Sequence, residues 1–350
     1  MKVLFLTPWY PSEKDAMSGL FVQKHVEAVR AQGVEVRVIF SQTWRDTWRQ
    51  WRELQRKKWT PDIVQLNVIQ KQGLLALWLK KHFHIPYIIV EHWSGYLPEN
   101  GQYMQMFRFK RMFYQRIASK ASIILTVSDR HAQAMRDCGI HNEHWGRINN
   151  VVDDFFFEER KSKIINHKSK ILLHISCFDE RAKNVKGLLR AAKMLSEKRQ
   201  DWRLVLVGTG ADYTDVRAYA HTLAIPENLL VWTGELTPRE VSEQLNQADA
   251  MVLFSHYENA PVVISESLAK GVPVISTRAG GIPEMINDQC GILVSSGDEQ
   301  ALVQAFSTLL SHPEQYNRQL IREAGKQYAY SVVGQKLMQV YNDVLSSRTK

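Results

Sequence analysis

LFSHYENAPVVISESLAKGVPVISTRAGGIPEMI, residues 253–286, is the stretch on which the reading of the fold turns. A strand ends near Phe254, and a loop carrying Glu258 follows it. A helix then opens with Pro261 at its first position and closes before Gly271, the expected placement of a residue without an N–H and one that tolerates a left-handed exit. The helix start aims backbone N–H groups and the positive end of its dipole at the strand-end crevice, a ready anion site. Glu258 lies just before that start and Glu266 a turn and a half inside it. Two carboxylates bracketing an anion site suit a ligand with phosphates in its middle and hydroxyls at both ends, because a carboxylate accepting two hydroxyl bonds holds a polyol. On spacing alone, such a pair is more often a loop-surface glutamate and a solvated helix position.

Working outward, short β-branched runs alternate with helical patterns along almost the whole chain. Lys2–Leu6, Glu35–Phe40, Asp62–Leu66, Tyr87–Val90 and Ser122–Val127 read as buried strands in the first half. Ile171–Ser176, Arg203–Val207, Leu229–Trp232, Ala250–Phe254 and Val274–Ser276 do so in the second. Between the first two, Leu20–Gln32 places Val22, Val26 and Val29 at helical spacing, with Ser18 as the candidate cap and Gly33 just past the end. Strand–helix alternation of this kind builds parallel, doubly wound sheets whose ligands sit at the carboxyl ends of the strands. The polar, lysine-rich FEERKSKIINHKSK at 157–170 reads as a linker between two such domains, 1–157 and 158–329.

The chain has 350 residues, 45% of them apolar and 23% charged, an ordinary globular composition with room for two domains. Cys138, Cys177 and Cys290 are scattered and odd in number, which argues against a disulfide framework and for a reducing, cytoplasmic setting. Pro8 and Pro11 interrupt the N-terminal apolar run, so no signal peptide is expected, and no apolar run reaches the roughly 20 residues of a membrane span. The net charge of +9 resides in two segments: 44–59, with six basic and two acidic residues, and 107–120, with five basic and no acidic ones. Charge alone does not choose among nucleic acid, a membrane surface and an anionic substrate.

The whole of 253–286 resembles the signature of the retaining glycosyltransferases of family 4, which have the GT-B fold and an E-x7-E motif. Glu258, Pro261, Glu266, Ala269, Gly271, Pro273, Val274, Gly280, Gly281, Pro283 and Glu284 fall in place. Asn259 stands where the family has glycine and Ser267 where it has alanine; asparagine tolerates unusual backbone angles, which favours the same loop conformation. ILLHISCFDERAKNVKGLLRA at 171–191 is similar to the family's phosphate-binding strand–loop–helix. There Lys183 takes the place of the phosphate-binding lysine. Cys177 replaces its arginine, with Arg181 as the candidate substitute. Gly208 lies in a VGTG turn and Gly234 in a Thr-Gly-Glu turn that resemble the family's base-side turns; VGTG lacks both the Gly-Lys-Ser/Thr of a P-loop and the third glycine of a dinucleotide site. Gly19 lies in the loop after the first strand and His92 after the fourth, positions the family uses near donor phosphate and reacting sugar. Asn149–Asp153 resembles its NGVD. The tail, QYAYSVVGQKLMQVYNDVL, resembles its last helix, so 330–350 is expected to pack back onto the first domain.

The resemblance implies a GT-B architecture, two Rossmann-like doubly wound domains facing across a deep cleft, the first binding acceptor and the second donor. It implies a retaining transfer of sugar from a nucleotide-sugar to a saccharide or lipid-linked acceptor, in cell-envelope polysaccharide or glycolipid synthesis. Glu258 would orient the sugar and Glu266 the ribose. Lys183 would stabilise the leaving phosphate, together with the helix start through Asn259, Ala260, Pro261 and Val262. No cofactor or divalent metal is implied. Two rivals stand beside this reading: an epimerase of the same architecture, and a non-catalytic membrane- or nucleic-acid-binding protein. Without the resemblance, His92 is more often simply hydrogen-bonded than catalytic. Cys138, His141 and His144 have ligand-like spacing but lack a further cluster to complete a zinc site, so the segment reads instead as the cap of a helix over 130–138. Nucleic acid is disfavoured because no recognisable RNA or DNA module accompanies the charge. In TWRDTWRQWRELQRKKW, Trp44, Trp48 and Trp51 share a helical face beside a stripe of Arg45, Arg49, Arg52 and Arg56, the pattern of an interfacial helix. FRFKRMFYQR at 107–116 repeats the mixture. Peripheral contact with an anionic membrane through 44–59 and 107–120 is therefore expected, unless the tryptophans pack into the domain's own core.

Overall fold

The computed structural model describes residues 1–13, 15, 17–158 and 169–347. The chain divides into two compact units, Met1–Val151 with Tyr328–Lys350, and Val152–Gln327. The first boundary therefore falls at Val151/Val152 and not after 157. Most of the lysine-rich stretch expected as a linker, 159–168, lies outside the described residues. The short turn Asp154–Phe156 goes with the second unit. There Lys270 donates to the Phe155 carbonyl at 2.8 Å and Arg322 to that of Phe157 at 2.5 Å.

The first unit runs β1 (Lys2–Thr7), α1 (Leu20–Arg30), β2 (Glu35–Phe40), α2 (Trp44–Arg56), β3 (Ile63–Asn67), α3 (Gly73–Phe83), β4 (Tyr87–Glu91), α4 (Arg108–Lys120), β5 (Ile124–Thr126), α5 (Asp129–Asp137) and β6 (Trp145–Arg147). The strands form one six-stranded parallel sheet in the order β2-β1-β3-β4-β5-β6. Right-handed crossovers place α2 to α5 on one face of that sheet and α1 on the other. The second unit runs β7 (Lys170–Ile175), α6 (Glu180–Lys183), α7 (Val185–Ser196), β8 (Trp202–Val207), α8 (Tyr213–Thr222), β9 (Leu230–Gly234), α9 (Pro238–Gln247), β10 (Ala250–Leu253), α10 (Val262–Ala269), β11 (Val274–Thr277), β12 (Gly291–Val294), α11 (Glu299–Ser311) and α12 (Arg318–Gly325). Its strands, again parallel, order as β12-β11-β10-β7-β8-β9. Both units are Rossmann-like. In the second the winding reverses between β7 and β10, and that switch point is where a doubly wound sheet opens its ligand crevice.

Four sequence expectations need adjusting. Ser18 does not cap α1: Gly19 is the N-cap, left-handed at φ +69°, and no side chain bonds the helix end. Pro261 sits one residue before α10 as its N-cap, with extended backbone, rather than at the first helical position. The helix expected over 130–138 is α5, one residue earlier at both ends, capped by the Ser128 hydroxyl on the His131 N–H, with Cys138 at its C-cap. The indole face of α2 turns inward: Trp51 is buried and Trp48 stacks edge-on against Trp78 at 4.9 Å, leaving Trp44 the exposed one of the three. The arginine stripe stays in solvent, with Arg49 paired to Asp46. Strands β6 and β12 went unread because each is short and contains or follows a glycine.

The last helix, α13 (Tyr330–Ser346), lies against α1. Val333, Leu337 and Tyr341 enter the same core as Val22, Val26 and Val29 of α1 and Val3 and Phe5 of β1. The buried Tyr341 hydroxyl donates to the side-chain amide oxygen of Gln65 at 2.5 Å, tying the helix to β3. Gly334 makes the close approach possible, since a Cβ there would stand 2.6 Å from the Ala28 carbonyl oxygen. Gly334→Val should therefore prise α13 from α1 and cost about 2 kcal/mol or more, as overpacking of a tight contact does. Urea unfolding reads this directly, and an unchanged midpoint would contradict the packing described.

Candidate functional site

In the second unit the side chains singled out by sequence converge at the switch point. The loop after β7 leads through α6 to Lys183, and the loop after β10 leads to Glu258. The Lys183 ammonium meets the Glu258 carboxylate at 2.5 Å, with side chains 16% and 10% exposed. Burial draws the Lys183 ammonium down, but the Glu258 charge and hydrogen bond, helped by Cys177 and Asp179, outweigh it and raise the pKa overall. The Ser255 hydroxyl donates to the same Glu258 oxygen at 2.9 Å, and Thr277 on β11 donates to the Ser255 carbonyl at 2.7 Å. The His256 N–H donates to the Ala182 carbonyl at 2.7 Å, joining the two loops through their backbones.

Glycine is required where a third loop passes. A Cβ on Gly280, at φ +52°, would lie 1.5 Å from the Glu258 carbonyl oxygen. Gly208 has the same role between the β7 and β8 loops: at φ +123°, its Cβ would fall 1.9 Å from the Ser176 carbonyl oxygen. VGTG thus has a packing reason of its own, the contact of two strand-end backbones. Gly234 is left-handed at φ +73°, and its carbonyl accepts the Gly208 N–H at 2.8 Å. Asn259 is buried, and Ala260, Pro261 and Val262 are half-buried where α10 begins, with no side chain capping that start. Glu266 is buried one turn into α10. Arg181 is exposed on α6, near enough to Tyr257 to act on it electrostatically, while Cys177 is exposed on the preceding loop.

His92 and Gly19 belong to the first unit. His92 follows β4 directly, its ring 4.3 Å from that of Phe21 in the first turn of α1 and 5.6 Å from that of His25. A Cβ on Gly19 would lie 2.3 Å from the Trp9 carbonyl, so the 9–19 loop closes on itself at that residue and sets where α1 starts. Burial, reinforced by His25 and His131, holds the His92 imidazole well below its usual pKa, and burial brings His25 and His131 down to about 4. All three are neutral rings at physiological pH. Two of them reach backbone carbonyls: His25 Nε2 lies 3.0 Å from the Asn149 oxygen and His131 Nε2 3.0 Å from that of Trp93.

Sequence reading missed Glu91. Fully buried at the end of β4, it accepts the backbone N–H groups of Ile69 at 2.9 Å and of His92 and Trp93 at 3.0 Å each. It fixes the backbone from which His92 projects, and it ties that loop to the end of β3, where Val68 is held left-handed at φ +63°. A charged residue closing an otherwise apolar strand was the available signal. Ser255 carried no signal of its own. Cys138 bonds through its thiol to the Tyr96 carbonyl at 3.5 Å. Among the described residues no group of three or more His, Cys, Asp or Glu side chains could hold a metal ion.

Residues 1–154 match the family model of Glycosyltransferase Family 4, and residues 155–327 match that of Glycosyl transferases group 1. The chain belongs to these glycosyltransferases. The glycosyltransferase is 30% identical over 203 residues to the N-acetyl-alpha-D-glucosaminyl L-malate synthase of Bacillus anthracis, covering 56% of this chain and about half, 52%, of that enzyme. It is 29% identical over 185 residues to the phosphatidyl-myo-inositol mannosyltransferase of Mycobacterium leprae, covering 52% and 48% of the two chains. Among solved structures, the sucrose-phosphate synthase of Thermosynechococcus elongatus superimposes with a TM-score of 0.82 at 17% identity over 99% of both chains. The Anabaena protein HepE, solved with UDP and glucose, gives 0.79 at 17% identity over 98% of this chain and 100% of its own. These superpositions establish the GT-B fold.

Burial pushes the Glu91 carboxyl up from 4.5 to about 7, against the pull of the N–H groups it accepts. Between those values the folded state holds a proton that the unfolded chain has released. The group's stabilising contribution is therefore full below pH 4.5 and is lost as pH rises towards 7. Urea titrations across that range should show the parent losing stability relative to Glu91→Gln, by an amount on the order of 3 kcal/mol. Parallel pH curves for the two proteins would contradict this account of the carboxyl.

Proposed function

We propose that the protein transfers a sugar from a nucleotide-sugar donor to an acceptor hydroxyl with retention at the anomeric carbon. The observation that carries this reading is the Lys183–Glu258 pair at the switch point of the second sheet, beside the uncapped start of α10. A nucleoside diphosphate leaving group develops negative charge. A fixed ammonium and the positive end of a helix are the groups that stabilise such charge without a metal ion. Glu258 orients the transferred sugar and Glu266 holds the ribose, with Gly208, Gly234 and Asn259–Val262 shaping the donor pocket and Arg181 standing in for the cation absent at Cys177. His92 and Gly19 serve the reacting sugar from the acceptor-binding unit, where the Glu91 carboxylate sets the backbone and a neutral imidazole is available. The leaving phosphate accepts the acceptor's proton as the new bond forms on the same face. The acceptor is a saccharide or lipid-linked saccharide of the cell envelope, met by a cytoplasmic protein at an anionic membrane surface.

Three measurements test this. A thermal-shift screen against UDP-, GDP- and ADP-sugars should find one that raises the melting temperature, since a ligand at a hundred times its Kd stabilises by about 2.7 kcal/mol. UDP-sugars come first because HepE was solved with UDP-glucose. With that donor, Glu258→Gln should lower kcat about a hundredfold and Glu266→Ala should mainly raise KM; wild-type kinetics in both variants would overturn the assignment. Transfer should also persist in excess EDTA. Loss of activity that manganese or magnesium restores would replace the electrostatic role given to Lys183 by that of a metal.

A further inference from the structure

With Trp48 and Trp51 of α2 turned inward and Trp44 alone of the three exposed, the most exposed apolar side chains of the first unit lie elsewhere. Phe107, at the N-cap of α4, is 86% exposed, and Phe109 in its first turn is 85% exposed. Met104 and Met112, on either side, are each more than half exposed. A phenylalanine left almost wholly in water is a standing cost, and two of them a single residue apart are not scattered surface apolars. The buried face of the same helix is already occupied by Tyr114, Ile117 and Ala118, so no rotation of α4 would shelter them.

The charge of the chain segment that carries these side chains is of one sign. Arg108 and Lys110 are exposed beside them, Arg111 is half-buried, and no acidic residue occurs from Asn100 to Ser128. The first turn of α4 therefore has cations and no acid at the end where the helix dipole already favours an anion. The exposed Arg45, Arg52 and Arg56 of α2 stand on the same face of the sheet, since α2, α3 and α4 all cross on that side.

We propose that Met104–Met112 is the membrane-docking element of this protein, inserting Phe107 and Phe109 among the headgroups of an anionic bilayer, with the arginines of α2 as an outlying electrostatic contact. A second copy of this chain is disfavoured as the occupant, because it would bring like-charged surfaces together. A folded protein partner has to complement the shape of a patch, whereas a bilayer interface receives protruding aromatic rings without a matching groove. The inference rests on the reading of a membrane-presented acceptor. It uses no step of the sugar transfer, so its failure would leave the donor-binding results standing.

The test is sedimentation of the full chain with vesicles of phosphatidylcholine alone and of phosphatidylcholine mixed with phosphatidylglycerol, at low and at high salt. The protein should pellet with the anionic vesicles at low salt and be released by high salt. Phe107→Ser combined with Phe109→Ser should weaken this binding about tenfold or more while leaving the melting temperature unchanged, because both side chains are solvent-exposed in the fold. Replacing Arg45, Arg52 and Arg56 by Ser should weaken it less and mainly reduce its dependence on salt. Four results would overturn the proposal: no pelleting with anionic vesicles at low salt, equal binding to neutral vesicles, undiminished binding by the double-serine variant, or conversion of a dimer to a monomer by that variant.

Discussion

The ion pair between Lys183 and Glu258 organises the second unit. Two strand-end loops on either side of a topological switch point would otherwise present like or unmatched charges to a half-buried crevice. The pair instead joins them, and Ser255, Thr277 and the His256–Ala182 backbone bond lock the joint from behind. The glycines follow from it. Once Glu258 is held against Lys183, its carbonyl occupies the space that a side chain at Gly280 would need. Removing one partner of such a pair leaves a desolvated charge, a larger loss than the pair's own net contribution. On the reading proposed above, the ligand supplies the compensation: phosphate takes over the ammonium while sugar hydroxyls take over the carboxylate, so the two halves of the donor are recognised by groups that neutralise each other in its absence.

The first unit solves its electrostatics in the opposite way. Where the second unit pairs full charges, the end of β4 gathers a carboxyl pushed towards neutrality and three imidazoles held uncharged, with Glu91, His25 and His131 tied to backbone groups. On the function proposed, the neutral rings beside the α1 start would meet an uncharged hydroxyl-bearing ligand, and the Lys183–Glu258 crevice of the other unit a diphosphate. The two sheets are both doubly wound but differ in strand order and in what their strand ends carry.

Much of this was legible because the strands are parallel and buried on both faces, so they read as continuous apolar runs such as Tyr87–Val90 and Ala250–Phe254. Strand β6, Trp-Gly-Arg, is too short and too polar to give that signal, and β12 begins on a glycine. The pairing of Glu258 with Lys183 was not readable, since 75 residues separate them and only the reversal of winding between β7 and β10 brings their loops together. Glu91 was passed over for the histidine beside it, because a carboxylate that serves mainly backbone N–H groups leaves no pattern of side-chain partners in the sequence. The helical pattern of 44–56 was real, but periodicity cannot say which side of an amphipathic stripe meets the core. Trp48 turned inward because α3 offered Trp78 as a neighbour, and Trp51 on the same stripe is buried with it.

The return of α13 to the first unit has a consequence for biosynthesis. The core that Val333, Leu337 and Tyr341 complete stays open until the ribosome has made the whole of Val152–Gln327. At about 5–20 residues per second that is an interval on the order of ten seconds or more. Throughout it, the α1 face of the first sheet is covered by α1 alone and its apolar core is incomplete, with Gln65 waiting for the hydroxyl of Tyr341. The second unit, contiguous in sequence, can close first although it begins later. The order of completion is thus the reverse of the order of synthesis, and the nascent chain is most in need of a chaperone over its first 150 residues.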